Sequence, residues 1–187
     1  MRLCLCVVGL VLLTLAGCAP GLDRSHKFDA KSDKALLLLT VTKLPGLTSY
    51  RIYAKPYDPV TKKIDELKDF AKLEDNFDGR YVTNNQHSIV ELTPGPYLIY
   101  VTGTQHGFGA LDLDVPIRRC IKSQAFQVEL QPGKIVYAGS FYPSFRHMLF
   151  TGHDMEEAKA FLAEYRDISA EVLTVTPEET TFERCPD

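Results

Sequence analysis

The sequence predicts a mainly β chain, folded as a single β-sandwich with one α-helix near its C-terminus. Three observations carry this prediction. Short runs of strand-forming residues recur along the chain, some of them alternating apolar and polar positions. Pro-Gly pairs at 45–46, 94–95 and 132–133 separate those runs, as tight turns require. Only one stretch, from Asp154 to Tyr165, joins a capping residue to a clear apolar stripe of helical period.

Ala35 to Thr42 is a short run of Leu, Thr and Val, the signature of a buried strand. Ser49 to Tyr57 sets Tyr50, Ile52 and Ala54 against Arg51, Tyr53 and Lys55, and with Pro45-Gly46 between the two runs it predicts a hairpin. Asp58-Pro59 ends the second strand. From Val60 to Leu73 the apolar residues Ile64, Leu67, Phe70 and Ala71 have helical spacing, and a short helix is expected there, against the alternative of a long exposed connection. Ser88 to Leu92 and Tyr97 to Thr102 flank Pro94-Gly95-Pro96, while Ala125 to Leu130 and Lys134 to Phe141 flank Pro132-Gly133. In each unit proline presets the first turn dihedral and glycine accepts the positive one of a type II turn. The two units resemble each other, as a duplicated hairpin or as the common need of a sandwich for tight turns. In the helix, Asp154 caps, Glu157 completes a capping box, and Met155, Ala158, Phe161, Leu162 and Tyr165 face the core. Ile168 to Val175 is expected as a last strand, followed by Pro177 and an acidic tail.

The N-terminus has the layout of an export signal: one charge at Arg2, an apolar stretch from Leu3 to Leu15, then small residues. That stretch is shorter than the roughly 20 residues of a membrane span. Its close, Leu15-Ala16-Gly17-Cys18, resembles the box of a bacterial lipoprotein signal. The resemblance implies cleavage before Cys18 and a diacylglyceryl group on its sulfur, hence a signal over 1–17, a lipidated Cys18 with a polar, flexible tether over 18–34, and a folded domain over 35–187. A residue other than Asp after the cysteine, here Ala19, implies for a Gram-negative host an outer-membrane anchor facing the periplasm. Such an anchor makes the bilayer a partner, since each buried methylene contributes roughly 0.8 kcal/mol and more than one chain is attached.

Charge excludes one class of partner. The net charge is −3 and no basic run exceeds Arg118-Arg119, so nucleic acid is not expected. Of five cysteines, Cys4 and Cys6 lie in the signal and Cys18 takes the lipid, which leaves Cys120 and Cys185. In an oxidising compartment these two are expected to pair, and no Cys-x-x-Cys spacing favours metal or redox chemistry instead.

Candidate chemistry is sparse. His106, Asp112 and Asp114 are imidazole and carboxylate groups within one glycine-relieved loop, weak candidates for a divalent metal, because the spacing lacks the remaining ligands of a calcium loop. His147, His153 and Asp154 invite a triad with Ser140 or Ser144, but neither serine stands in a Gly-x-Ser-x-Gly elbow. Tyr137, Phe141, Tyr142, Phe145 and Phe150 suit a core or its rim better than a ligand pocket. No cofactor is expected.

The lipobox, the turn Leu92-Thr93-Pro94-Gly95-Pro96-Tyr97, and the run from Phe126-Gln127-Val128 through Pro132-Gly133 to Val136-Tyr137-Ala138-Gly139 together resemble uncharacterised bacterial lipoproteins with a prealbumin-like (transthyretin-like) β-sandwich, over residues 86–142. The resemblance implies a fold and a location and no catalytic activity. The expectation is a membrane-anchored envelope lipoprotein acting as a non-catalytic binding or assembly module with an envelope protein partner. The alternatives are a small periplasmic hydrolase or metal-dependent enzyme, and a carrier of a small apolar ligand.

Overall fold

The computed structural model describes residues 22–42, 48–61, 63–64, 71–75, 86–105, 121–143 and 147–184. Among these the chain is mainly β, with strands in three sheets and one short helix. The elements are β1 (Phe28–Asp29), β2 (Ala35–Val41), β3 (Thr48–Asp58), β4 (Lys63–Ile64), β5 (Ala71–Asp75), β6 (Gln86–Leu92), β7 (Gly95–Gln105), β8 (Ile121–Leu130), β9 (Ile135–Pro143), β10 (Met148–Gly152), α1 (Met155–Leu162), β11 (Ile168–Ser169), β12 (Val172–Thr174) and β13 (Glu178–Arg184).

The first sheet runs β6–β2–β9, and the far edge of β9 is shared: β12 pairs parallel with Ile135–Tyr137, β10 antiparallel with Ser140–Pro143. The second runs β13–β8–β7–β3, with β5 and β4 sharing the far edge of β3. The third is the parallel pair β1 and β11.

Strand β2 shows why its sequence is apolar without alternation. Ala35, Leu37, Leu39 and Val41 point into a core shared with Ile52, Ile99, Phe126 and Val128 of the second sheet. Leu36 and Leu38 point the other way, into a cluster with Phe28, Ala158 and Tyr165 that lies under α1. A strand buried on both faces needs no polar side. Each of these leucines contributes roughly 1.5–3 kcal/mol of burial. On β9, Ala138 and Gly139 together oppose Leu39, a bulge that lets Val136, Ala138 and then Phe141 all reach the shared core. Gly139 sits there at φ +92°, where a Cβ would lie 2.5 Å from the Phe150 ring.

The expected hairpin of 35–42 with 49–57 does not form, because β2 and β3 belong to different sheets. Both Pro-Gly units do the same thing: β6 leads through Thr93-Pro94 into β7 of the other sheet, and β8 through Gln131–Lys134 back into β9 of the first. Neither is a hairpin. Alternation reports which positions are buried and not which sheet a strand joins, so the links read as turns while serving as corners. The second is a hydrogen-bonded turn, the Lys134 amide donating to the Gln131 carbonyl at 3.3 Å with Gly133 at φ +65°. The first has Gly95 at φ +133°, already the opening residue of β7 and paired with Leu130.

Of the helix expected over 60–73, residues 62 and 65–70 lie outside the described ones, and 63–64 and 71–73 are strand. Lys63–Ile64 pairs with Tyr57–Asp58 and Ala71–Asp75 with Arg51–Ala54. The Asp58 carboxylate accepts from the amides of Val60 (2.8 Å) and Thr61 (3.2 Å) and from the Thr61 hydroxyl (2.7 Å), a turn that brings Lys63 and Ile64 back beside β3. Residues 22–34, expected in a free tether, pack on the body through β1, with Phe28 buried. The single strand expected over 168–175 is two, β11 and β12 in different sheets, and the acidic stretch beyond Pro177 is β13, holding Phe182 against Tyr100.

Helix α1 has its expected stripe: Met155, Ala158, Phe161, Leu162 and Tyr165 all lie in the cluster beneath it. Asp154 caps it, accepting from the Glu157 amide at 3.0 Å. The reciprocal half of the capping box is absent. The Asp154 amide donates instead to the Tyr137 hydroxyl (3.3 Å), and the Glu157 carboxylate reaches His87 Nε2 (3.3 Å).

Candidate functional site

Cys18, Cys120, Cys185, His106, Asp112, Asp114 and Ser144 lie outside the described residues, as does Phe145. Of the remaining candidates, Ser140 (3.4 Å) and the Asp154 amide (3.3 Å) meet at the Tyr137 hydroxyl with His153 against the same ring, and His147 lies apart from them. His147 and His153 flank β10 at opposite ends, and six residues of extended chain span roughly 20 Å. Ser140 lies opposite Gly152, at the His153 end, while the β10 residue next to His147 pairs with Pro143.

His153 has a structural setting. Its Nε2 donates to the Val175 carbonyl at 2.9 Å, which assigns the proton to that nitrogen because a carbonyl only accepts. Its ring packs edge-on to Tyr137 (5.6 Å) and Phe150 (5.1 Å). Asp154 is the helix cap. Tyr137 and Phe141 are fully buried, and Phe141 meets Phe126 at 5.3 Å across the shared core. Among the described residues no group of three or more His, Cys, Asp or Glu is placed to hold a metal ion.

Among the described residues, one set of polar contacts lies on the outer layer that covers the first sheet, and sequence reading missed it. Leu22 is half-buried in the cluster under α1; its amide donates to the Ile89 carbonyl (3.4 Å) and its carbonyl accepts from the Tyr165 hydroxyl (3.5 Å). The Arg24 guanidinium lies over the rings of Tyr165 (4.5 Å) and Phe161 (5.1 Å) and pairs with Glu164 at 2.5 Å. His26 meets Glu91 at 2.9 Å. His87, between Thr40 (3.0 Å) and Glu157, stacks on Phe161 at 4.7 Å, so β6 holds both the N-terminal segment and the helix.

Two groups of this layer titrate away from their usual ranges. The Ser25 hydroxyl and amide both donate to the Asp23 carboxylate and hold its pKa below the carboxylate range. Burial raises the Tyr165 phenol, with Arg24 opposing that shift and Glu164 and Asp23 adding to it.

Beside this docking point opens a cleft of about 450 Å³ lined by Lys27, Phe28, Asp29, Ser32, Arg166, Asp167 and Ser169. Two cations and two carboxylates face one small volume, an arrangement suited to a ligand carrying both signs. The signal that could have exposed it was slight: Leu22 and Phe28 are the large apolar residues of an otherwise polar segment without period.

A second surface feature is the edge formed by β10, which among the described strands pairs only with β9. Leu149 stands there 57% exposed, and the Met148 amide is taken by the Gln124 side chain at 3.0 Å. No helix among the described residues is long and apolar enough to cross a membrane. Comparison of the chain with protein-family models, with curated proteins and with solved structures found no match in any of the three.

Proposed function

We propose that this chain is a lipid-anchored envelope protein, held at the periplasmic face of the outer membrane through Cys18, whose prealbumin-like β-sandwich serves as a non-catalytic binding or assembly module. The box Leu15-Ala16-Gly17-Cys18 behind its apolar run carries the reading. Two large sheets sharing one core, between which the chain passes repeatedly, support the sandwich. The structural employment of His153 and Asp154 supports a role other than hydrolysis. The β10 edge with Leu149 offers an envelope protein a strand to pair with.

Radiolabelled palmitate tests the anchor: wild-type protein takes up label and floats with membranes, and Cys18→Ala does neither. Equal labelling of both would overturn it. For the module, cross-linking in intact membranes is expected to join the wild type to a defined partner and Leu149→Lys to join it much less. A cross-linking pattern unchanged by Leu149→Lys would remove the edge from the reading.

A further inference from the structure

We propose that the outer layer built by residues 22–32 and the end of α1 lies against the headgroup surface of the bilayer that holds the lipidated Cys18. This rests on the lipidation proposed above and adds which face of the domain meets the membrane.

Among the described residues, the chain is held to the domain from Leu22 onward. Leu22 is tied by its amide to Ile89, by its carbonyl to Tyr165 and by its side chain to the cluster under α1, and Arg24 is clamped by Phe161, Tyr165 and Glu164. Four peptide steps separate Cys18 from Leu22. Fully extended they reach about 14 Å. A diacylglyceryl sulfur sits at the base of the headgroup layer, whose thickness is roughly 5–8 Å in each leaflet. Less than about 10 Å is left between the headgroups and Leu22, about one screening length at 0.1 M salt. A tether running free to Lys34 would let the domain turn any face to the membrane; a chain held from Leu22 onward does not.

The chemistry of that face agrees. The chain as a whole is acidic, with 21 basic and 24 acidic residues. The cleft is balanced, Lys27 and Arg166 against Asp29 and Asp167, which matches zwitterionic phospholipid headgroups in sign. The second sheet lies on the far side of the first, so its β13 edge remains free of the bilayer for other contacts.

The test uses the full lipidated protein in vesicles of zwitterionic phospholipid carrying an energy acceptor on a fraction of the headgroups. A donor dye is attached through an unnatural amino acid either at Ser169, exposed in the cleft, or at Lys122, exposed on β8 of the far sheet. Two stacked layers of about 10 Å separate the positions in height, and transfer from 169 is expected to exceed transfer from 122 by about two-fold or more. Inserting twelve Gly/Ser residues between Cys18 and Leu22 is expected to bring the ratio toward one. Equal transfer from both positions, in protein that takes up palmitate and floats, would overturn the apposition while the anchor stands, and so would a ratio unmoved by the insertion. Failure to take up palmitate would overturn the anchor and the apposition together.

Discussion

The Arg24 guanidinium lies 4.5 Å from the centre of the Tyr165 ring, and through that contact a segment expected to run free is fastened to the helical end of the domain. A cation that stays about half exposed over an aromatic ring contributes roughly 0.5–1 kcal/mol. Arg24→Ala is therefore expected to loosen residues 22–32 without unfolding the sheets. Amide exchange at Phe28, whose N–H donates to the Asp167 carbonyl at 3.0 Å, should accelerate about two- to five-fold, with the amides of β2 unchanged.

Alkaline pH should act on the same joint. Burial raises the Tyr165 phenol, so folding favours its neutral form. The contribution is complete below the ordinary phenol value of about 10 and is lost as pH rises through the higher folded value. Ultraviolet titration of the folded protein is expected to show one late-ionising phenol that Tyr165→Phe removes. Loss of amplitude in the variant from the early part of the curve, with the late part unchanged, would refute this.

The two Pro-Gly corners should differ in tolerance. A Cβ on Gly133 would stand 2.3 Å from the Ala30 carbonyl oxygen, and nothing lies within 4 Å of one on Gly95. Gly95→Ala is expected to cost about 1 kcal/mol from its positive φ alone, and Gly133→Ala clearly more, since backbone must move. Denaturant melts of both variants check the order.

Cys120 and Cys185 lie outside the described residues, next in sequence to Ile121 and Arg184, the last described pair of the antiparallel ladder of β8 and β13. In an oxidising compartment the two cysteines are expected to pair. Thiol titration of unreduced, denatured protein lacking its signal is expected to find neither sulfhydryl free. Reduction should lower the melting temperature by fraying β13 first; two free thiols would end the proposal.

The helix cap offers a smaller effect with a clear sign. Asp154→Ala removes the acceptor of the Glu157 amide and should cost about 1 kcal/mol, read as a lower melting temperature.

Legibility in the sequence followed local physics. Strands β2, β3, β6, β7, β8 and β9 and the stripe Met155–Tyr165 were readable because burial and turn residues mark them locally. What failed depended on contacts distant in sequence. The partners of β2 are β6 and β9, about fifty and a hundred residues later, and no local pattern names them. The Val60–Leu73 stretch has helical spacing, yet its described parts, Lys63–Ile64 and 71–73, pair with β3. Glu157 is a good capping-box residue, but His87 on β6 takes its carboxylate. Residues 22–34 looked like a tether because only Leu22 and Phe28 carry the burial there and Arg24 is held by two rings from beyond residue 160. Of the candidate site, Asp154 was legible as a cap; the cleft was not, since its walls come from 27–32 and 166–169.

Residues 168–184 give β11 to the third sheet, β12 to the first and β13 to the second. None of the three sheets is complete until this stretch has been delivered. One short stretch thus supplies an outermost strand to all three sheets, so its removal would bare an unpaired edge on each of them at once.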